Sequence, residues 1–334
     1  MRILVTGGLG FIGSHTTVEL IENGHEVIIV DNLSNSKIEV LDNIEKITGV
    51  KPKFYQYDLL DIGDLRKVFD ENDIEGVIHF AGYKAVAESI TKPIEYYENN
   101  IGSTINLIKC MREKGVYNFV FSSSATVYGT PERNPIDETF PANSATNPYG
   151  RTKLFIENIL EDLYESDNKF TITILRYFNP TGAHKSGLIG EDPNGIPNNL
   201  MPVMIKVANK ESDILHINGK DYDTKDGTCV RDFIHVVDLA NGHVKAIEKI
   251  TKPGVYHFNL GTGNGTSVLE LVTAFNKVNG ELIKFDYAER RPGDVPENYA
   301  NCEKAFKELG WKSQYNIEQM CKDAWEFRKN KNNR

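Results

Sequence analysis

The chain has 334 residues, a length that suits one large α/β unit or two domains and allows a sizeable core. Its net charge of -9, with lysine and arginine scattered, excludes the basic stripe of a nucleic-acid-binding protein. The four cysteines stand far apart without a C-x-x-C pair, so we expect neither a metal site nor a disulfide framework.

Membrane insertion and secretion are not expected either. No apolar run approaches the roughly 20 residues that span a bilayer, and the first predicted strand begins at residue 2, which leaves no room for a signal peptide. We therefore expect a cytoplasmic protein whose partners include neither a membrane nor a nucleic acid.

Residues 2–13 predict a strand, a turn and a helix in direct succession. Gly7, Gly10 and Gly13 stand three apart, as needed for a tight turn, a close approach of backbone to a pyrophosphate, and close packing of helix on strand. The helix N-terminus then offers N–H groups and a positive dipole end to a phosphate. The pattern favours a dinucleotide site, although a glycine-rich turn can also serve only to reverse the chain.

An acidic residue follows the second predicted strand, which covers residues 26–30. Asp31 lies within the roughly 20-residue spacing expected of a carboxylate that binds an adenosine ribose. It can alternatively be a turn residue before Asn32, but its position at a strand end favours the ribose role.

Short apolar strands and amphipathic helices alternate through about residue 175. This alternation predicts an α/β fold with a doubly wound parallel sheet of the Rossmann type. We place strands at 2–6, 26–30, 53–57, 76–80, 118–123 and 170–175, and helices at 11–23, 37–49, 61–71, 93–115 and 148–166. Polar or small residues follow several strands, and the carboxyl ends of parallel strands line a ligand crevice, so these residues are expected to converge on one dinucleotide.

The pattern changes beyond residue 179, where a stretch rich in proline, glycine and asparagine extends to residue 202. A connection of that length usually binds something or is disordered. Helices are predicted at 200–210, 236–250, 267–279, 303–309 and 317–330, with strands at 214–217, 255–259 and 283–287. We assign 1–178 to a cofactor-binding domain with later returns near 230–262, and 179–334 to a smaller, interleaved substrate domain.

Tyr149 and Lys153 are four residues apart at the start of a predicted helix and therefore share one face. A nearby ammonium favours a phenolate, so the pair predicts a proton-transfer base that works near neutral pH. The same spacing is common by chance, but here it accompanies a nucleotide-binding pattern and a serine run at a strand end. Ser124 in that run is expected to hydrogen-bond a substrate hydroxyl.

The sequence resembles the extended short-chain dehydrogenase/reductase family over essentially its whole length, and within it the enzymes that invert C4 of UDP-hexoses. The matching stretches are 5–15, 31–36, 79–86, 121–129, 175–180, 196–202 and 230–236. The resemblance implies a resident NAD, UDP-hexose substrates and a homodimer formed by the helices near 93–115 and 148–166.

The resemblance also implies residue roles. Tyr149 is implied as the base, acting directly or through Ser124, and Lys153 as the holder of the nicotinamide ribose. NAD is implied to contact residues at and after the ends of the predicted strands, together with residues of the helices 93–115 and 148–166: Gly7, Gly10, Phe11, Ile12, Gly13, Asp31, Asn32, Asn35, Ser36, Asp58, Leu59, Phe80, Ala81, Gly82, Lys84, Asn99, Ser122, Ser124, Tyr149, Lys153 and Phe178.

The nucleotide sugar is implied to contact a second set: Lys84, Ser124, Tyr149, Phe178, Asn179, Asn199, Leu200, Asn218, Arg231, Val268, Arg291, Asp294 and Asn298. The implied reaction oxidises the sugar at C4, lets the 4-keto sugar turn over, and returns the hydride to the other face. Asn218 replaces an aromatic residue found beside the uracil in many relatives. Asn298 replaces a bulky gatekeeper, so we expect room for the acetamido group of UDP-N-acetylhexosamines.

Alternatives remain open at this stage. A nucleotide-sugar 4,6-dehydratase is expected to carry an Asp-Glu pair where this chain has Ala125 and Thr126, and a non-catalytic NAD-binding sensor is expected to lack Tyr149 or Lys153. Arg231 can simply pair with Asp232, and Arg291 can belong to a surface charge run.

Overall fold

A computed structural model describes residues 1–195, 197, 199–291 and 293–332. Ile196 and Asn198, two members of the motif stretch 196–202, lie outside the described residues. In chain order the strands are β1 (Arg2–Thr6), β2 (Glu26–Val30), β3 (Lys53–Tyr55), β4 (Gly76–His79), β5 (Asn118–Ser124), β6 (Thr171–Tyr177), β7 (Asn179–Thr181), β8 (Leu215–Asn218), β9 (Val230–Arg231), β10 (Phe233–His235), β11 (Gly254–Leu260), β12 (Thr266–Ser267), β13 (Phe285–Ala288) and β14 (Glu297–Asn298).

The helices are α1 (Phe11–Glu22), α2 (Glu39–Thr48), α3 (Ile62–Glu71), α4 (Val86–Thr91), α5 (Pro93–Lys114), α6 (Pro148–Ser166), α7 (Leu200–Ala208), α8 (Val236–Lys249), α9 (Val268–Asn279), α10 (Glu303–Leu309) and α11 (Ile317–Asn332). A short 3-10 turn at Ala125–Tyr128 follows β5 directly. None of the helices in the described part of the chain is long and apolar enough to cross a membrane.

Seven of the described strands form the main sheet, in the order β11-β6-β5-β4-β1-β2-β3, and all of its pairings are parallel. Alternate residues of β1 enter different cores: Ile3 and Val5 pack with the α1 and α8 side, whereas Leu4 packs with the α3, α5 and α6 side. Both faces are buried because helices cover each of them. The predicted doubly wound parallel sheet is therefore confirmed.

The later part of the chain returns to this sheet and also builds a core of its own. β11 adds to the sheet beside β6 in a parallel pairing. A separate apolar core joins α7, α9 and α11 to the β8–β13 pair. The strands of two or three residues, β7, β9, β10, β12 and β14, and the helix α4 were not predicted, because such short elements show no periodicity.

Candidate active site

The glycine turn after β1 has the geometry of a phosphate cradle. Gly7 has φ +67°, in the left-handed region that favours glycine. A Cβ on Gly13 would stand 2.2 Å from the Gly7 oxygen, so only glycine lets α1 approach the turn this closely. A Cβ on Gly10 would meet only that oxygen, at 3.2 Å, and no side chain caps α1. The turn therefore leaves the first N–H groups of α1, at Phe11, Ile12 and Gly13, open to a phosphate, which fits the pyrophosphate of NAD.

Asp31 organises the loop after β2. One carboxylate oxygen accepts from the Leu9 N–H at 3.1 Å, and the other accepts from the Leu33 N–H at 2.9 Å and the Ser36 hydroxyl at 2.7 Å. The carboxylate thus links the glycine turn to the loop that also carries Asn32 and Asn35. Asp31 is buried, and its geometry is compatible with both the turn role and a ribose contact, because each carboxylate oxygen can accept a further hydrogen bond.

Further residues of the predicted NAD set lie after β3 and β4. Asp58 accepts from the Asn32 side chain at 3.0 Å, so the loops after β2 and β3 are joined, and Leu59 is buried beside them. Phe80 packs against His243 with ring centroids 4.6 Å apart and ring planes inclined by 45°, and Ala81 and Gly82 follow it in the chain.

The loop after β4 is fixed by an asparagine that the sequence did not single out. The Asn100 side-chain oxygen accepts from the Tyr83 N–H at 2.7 Å and from the Asn99 amide at 2.9 Å, while its amide group donates to the Thr152 hydroxyl at 3.0 Å. His79 beneath this loop lies between the hydroxyls of Thr6 and Thr104, so it is a core histidine with satisfied hydrogen bonds.

The catalytic candidates converge where β5 ends against the first turns of α6. The Lys153 ammonium donates to the Ser122 carbonyl oxygen at 2.8 Å, and the Ser122 hydroxyl donates to the Tyr177 hydroxyl at 3.0 Å. Ser124, Tyr149 and Lys153 are all buried. Asn147 caps α6 by accepting from the Gly150 N–H, and this cap fixes where the helix begins.

The electrostatics differ from the sequence prediction. Burial raises the pKa of Tyr149 well above its usual value, the adjacent Tyr177 adds to the rise, and only the Ser124 hydroxyl opposes it. Burial also lowers the pKa of Lys153 to about 8. In the protein by itself Lys153 does not offset this rise, because its ammonium lies 6.0 Å from the Tyr149 ring centroid. The role of Tyr149 as the base stays a prediction.

A buried ion pair contacts β5 next to the catalytic candidates. Arg176 on β6 and Glu157 on α6 form a forked pair whose shortest nitrogen–oxygen distance is 2.6 Å, and Ser123 donates to the same carboxylate at 2.5 Å. Arg176 also donates to the Tyr128 hydroxyl at 3.1 Å. This pair was not predicted from the sequence. Glu157 stands four residues after Lys153 and therefore on the same helix face, and that spacing was the signal available.

The predicted diphosphate ligands face each other across a carboxylate. Arg291 donates to Asp294 at 2.6 Å, and Arg231 lies 3.6 Å from the same oxygen while it donates to the Val230 and Val295 carbonyls. The alternative pairing of Arg231 with Asp232 is wrong. Asp232, which follows β9, instead accepts hydrogen bonds from Thr262, Gly263 and Ala300.

The remaining sugar candidates surround this cluster. Asn298 on β14 is in register with Arg231 on β9, and its buried side-chain oxygen has no hydrogen-bond partner within the described residues. Val268 begins α9, next to the β12 strand that pairs with Arg231. The others are placed as follows: Phe178 is buried after β6, Asn179 begins β7, Asn199 precedes α7, Leu200 begins α7, and Asn218 is exposed at the end of β8.

Lys84 contacts the long loop that follows β7. Its ammonium donates to Glu191 at 3.1 Å, and the Asn199 amide donates to the same carboxylate oxygen at 2.7 Å. Two candidates from distant stretches of sequence are thereby joined through a residue that the sequence analysis did not select.

Comparison with known proteins agrees with this site. The family model of GDP-mannose 4,6 dehydratase matches residues 4–324. The UDP-glucose 4-epimerase of Bacillus subtilis (strain 168) is 56% identical over 98% of this chain and 96% of its own length, and that of Haemophilus influenzae is 54% identical over 99% and 98%. The crystal structure of UDP-glucose 4-epimerase from Bifidobacterium longum, in complex with NAD+ and UDP, matches with a TM-score of 0.96 and 52% identity, covering 100% of this chain and 99% of that one.

The parallel sheet, the glycine cradle and the Ser-Tyr-Lys edge define an extended short-chain dehydrogenase/reductase, the class to which the matching family model also belongs. Identity above 50% over nearly the whole chain narrows the assignment. The chain belongs to the UDP-glucose 4-epimerase family.

Proposed function

We propose that this chain interconverts UDP-glucose and UDP-galactose by inverting C4, with NAD as its resident cofactor. The observation that carries the proposal is the joint presence of the glycine cradle and the buried Ser124, Tyr149 and Lys153 at one edge of the parallel sheet. Relatives of the same length that are more than half identical carry the same activity in their names.

The cofactor fits the strand ends along the cleft. The N-terminus of α1 would hold the diphosphate, the loop organised by Asp31 would hold the adenosine ribose, and Asp58 and Leu59 would contact the adenine. When bound, the cofactor would accept the hydride as NAD+ and return it as NADH. NAD+ would also bring a positive charge into a site whose burial otherwise keeps Tyr149 protonated.

Catalysis is assigned to three side chains. Tyr149 takes the proton from the sugar 4-hydroxyl, directly or through Ser124, as the C4–H bond breaks, and returns it when the 4-keto sugar is reduced. Lys153 holds the nicotinamide ribose and the end of β5 through its bond to the Ser122 carbonyl. Because the site is buried, water is kept away from the keto sugar.

Substrate binding is assigned to the arginine pair and its neighbours. Arg231 and Arg291 carry forked donors that suit a diphosphate, and both can exchange their contact with Asp294 for phosphate oxygens. The nucleotide end is held firmly, whereas the sugar makes few contacts. The keto sugar can therefore rotate and present its other face. Asn179, Asn199, Leu200, Asn218 and Val268 complete the predicted pocket.

Asn298 extends the proposal to UDP-N-acetylglucosamine and UDP-N-acetylgalactosamine. Its side chain is small, and its unpartnered buried oxygen can accept a hydrogen bond from an acetamido N–H. We expect Asn298→Tyr to lower turnover of the acetamido sugars by about tenfold or more while turnover of the plain hexoses is kept, because the ring fills the space.

Two further properties stay predictions from the sequence: a homodimer and a cytoplasmic location. The stacked Tyr97 and Phe155 rings, 5.9 Å apart, join the predicted dimer helices α5 and α6, and Ile94 beside them is exposed. Sedimentation of the purified protein tests the dimer, since Ile94→Asp and Phe155→Asp are expected to shift it toward the monomer.

The activity is tested with protein purified without added NAD. UDP-galactose and UDP-N-acetylgalactosamine are offered separately, and the products are separated by chromatography. Formation of the C4 epimers without added cofactor is expected, and the ratio of the two rates measures the influence of Asn298. If neither sugar turns over even after NAD is supplied, the proposed function is wrong.

A further inference from the structure

A short segment of the long loop spans the proposed cofactor cleft. Residues 191–194, which we call the strap, follow a closed turn in which Ala183 and Gly190 form an antiparallel bridge. The Asn43 side chain on α2 donates to the Leu188 carbonyl at 3.1 Å and fixes that turn against the nucleotide-binding half. The strap then continues toward Asn199 and the start of α7.

One side of the strap contacts the loop after β2. The Asn194 N–H donates to the Asn35 side-chain oxygen at 3.1 Å, the Asn194 amide donates to the Ser34 carbonyl at 3.4 Å, and the Lys37 ammonium donates to Asp192. This is the loop that Ser36 ties to Asp31, so the strap braces the predicted ribose-binding residues from outside.

The other side of the strap contacts the loop after β4, where Glu191 accepts from Lys84. The sheet order places β1 between β4 and β2. A segment that contacts the loops after β4 and β2 therefore crosses the glycine turn after β1, where the diphosphate is expected. NAD bound along these strand ends would lie under the strap.

Asp192 supplies the strap's ion pairs with Lys37 and Lys331. Its carboxylate is shared by Lys37 and by Lys331 of α11, at 2.5 Å for the latter. Burial acts to raise the pKa of Asp192, but the two ammonium groups outweigh it and hold the pKa below its usual value. Without this carboxylate, two lysine charges would face each other, and the strap would lose its one charged link to the loop after β2 and keep only the two Asn194 hydrogen bonds.

We propose that Asp192 is a positioning residue that keeps the strap closed over bound NAD and thereby makes release of the cofactor slow. The inference rests on the proposed function, because it concerns the same cofactor site. The side chains of Lys37 and Asp192 are 40% and 24% exposed, so the pair adds little to the stability of the fold and its effect falls on the rate of opening.

The test measures exchange of NAD in the holoprotein. Protein carrying its bound NAD is mixed with an excess of isotopically labelled NAD, and the bound nucleotide is analysed by mass spectrometry over time. We expect Asp192→Asn to release NAD about ten to one hundred times faster than the unchanged chain, since losing one partner of a charge pair acts mainly on dissociation. Asp192→Glu is expected to restore slow release to within about threefold, which a purely structural role would not predict.

Controls separate the possible failures. Asp213→Asn removes an exposed aspartate far along the chain from the strap and is expected to leave the exchange rate unchanged. If Asp192→Asn does not fold, Lys37→Met breaks the same pair from the other side. Holoprotein whose variants exchange NAD as slowly as the unchanged chain would overturn the role of Asp192 alone. A chain that holds no NAD at all would overturn the proposed cofactor site, and this inference with it.

Discussion

The two edges of the proposed cleft are built in opposite ways. At the catalytic edge, Tyr149 is 7% and Lys153 5% exposed, and the surrounding polar groups bond to each other. At the substrate edge, the Arg291 side chain is 62% exposed and shares Asp294 with Arg231. The catalytic edge is buried and hydrogen-bonded within the protein, whereas the substrate edge holds its charges in pairs that a ligand can replace.

This difference separates chemistry from binding. Proton transfer requires donor and acceptor within about 3 Å and a pKa set by the surroundings, and a buried, packed edge supplies both. Recognition of a diphosphate requires cations that can change partners, which an open edge allows at small cost. Changes at the catalytic edge are therefore expected to have large effects on turnover or stability, and changes at the substrate edge smaller effects on affinity.

The largest expected effect is that of Tyr149→Phe. The variant keeps the ring but loses the hydroxyl that moves the proton, so turnover of UDP-galactose is expected to fall by about 10²- to 10⁴-fold. The amount of bound NAD is expected to stay unchanged. Tyr117→Phe is the matched control, because Tyr117 packs edge-on against Phe170 at the opposite end of β5. A Tyr149→Phe variant that keeps normal turnover would show that another group moves the proton.

The next effect concerns the buried ion pair behind the catalytic edge. Glu157→Gln leaves the Arg176 charge buried without its partner, and the free energy of unfolding is expected to fall by about 3–5 kcal/mol. Chemical denaturation measures the change. Glu113→Gln breaks the exposed forked pair with Arg66, whose shortest distance is 2.7 Å, and is expected to lose less than about 1 kcal/mol. Equal losses in the two variants would remove the distinction between buried and exposed pairs.

A pH dependence follows from Lys153. Its folded-state pKa is lowered to about 8, whereas the unfolded chain keeps its ordinary value of 10.5, so the unfolded state binds more protons between these values. The contribution of Lys153 to the free energy of unfolding is therefore lowest below pH 8 and rises as the pH increases toward 10.5. In cofactor-free protein, we expect the difference in unfolding free energy between Lys153→Met and the unchanged chain to shift by about 2–3 kcal/mol between pH 7 and pH 10, in favour of the unchanged chain. A pH-independent difference would contradict the lowered pKa.

The sequence predicted the long elements of the fold because their periodicity is strong. It also predicted the glycine cradle and the shared helix face of Tyr149 and Lys153, because spacing determines both. It did not predict the raised pKa of Tyr149, since burial depends on packing by β6 and its Tyr177. The contact of Lys37 with Asp192 spans 155 residues, and no local pattern indicates a partner at that distance.

The smallest expected effect lies at the substrate edge. Arg291→Met removes one forked donor from the predicted diphosphate site, and the KM for UDP-galactose is expected to rise about fivefold to tenfold with kcat nearly unchanged, because Arg231 remains. Stability is expected to change by less than about 1 kcal/mol, as for other exposed pairs. Arg290→Met is the matched control, since Arg290 pairs with Asp221 and lies over the Tyr222 ring. If the control raises KM as much as Arg291→Met does, the two arginines act through general surface charge. Arg291 would then not be a specific ligand of the diphosphate at the substrate edge.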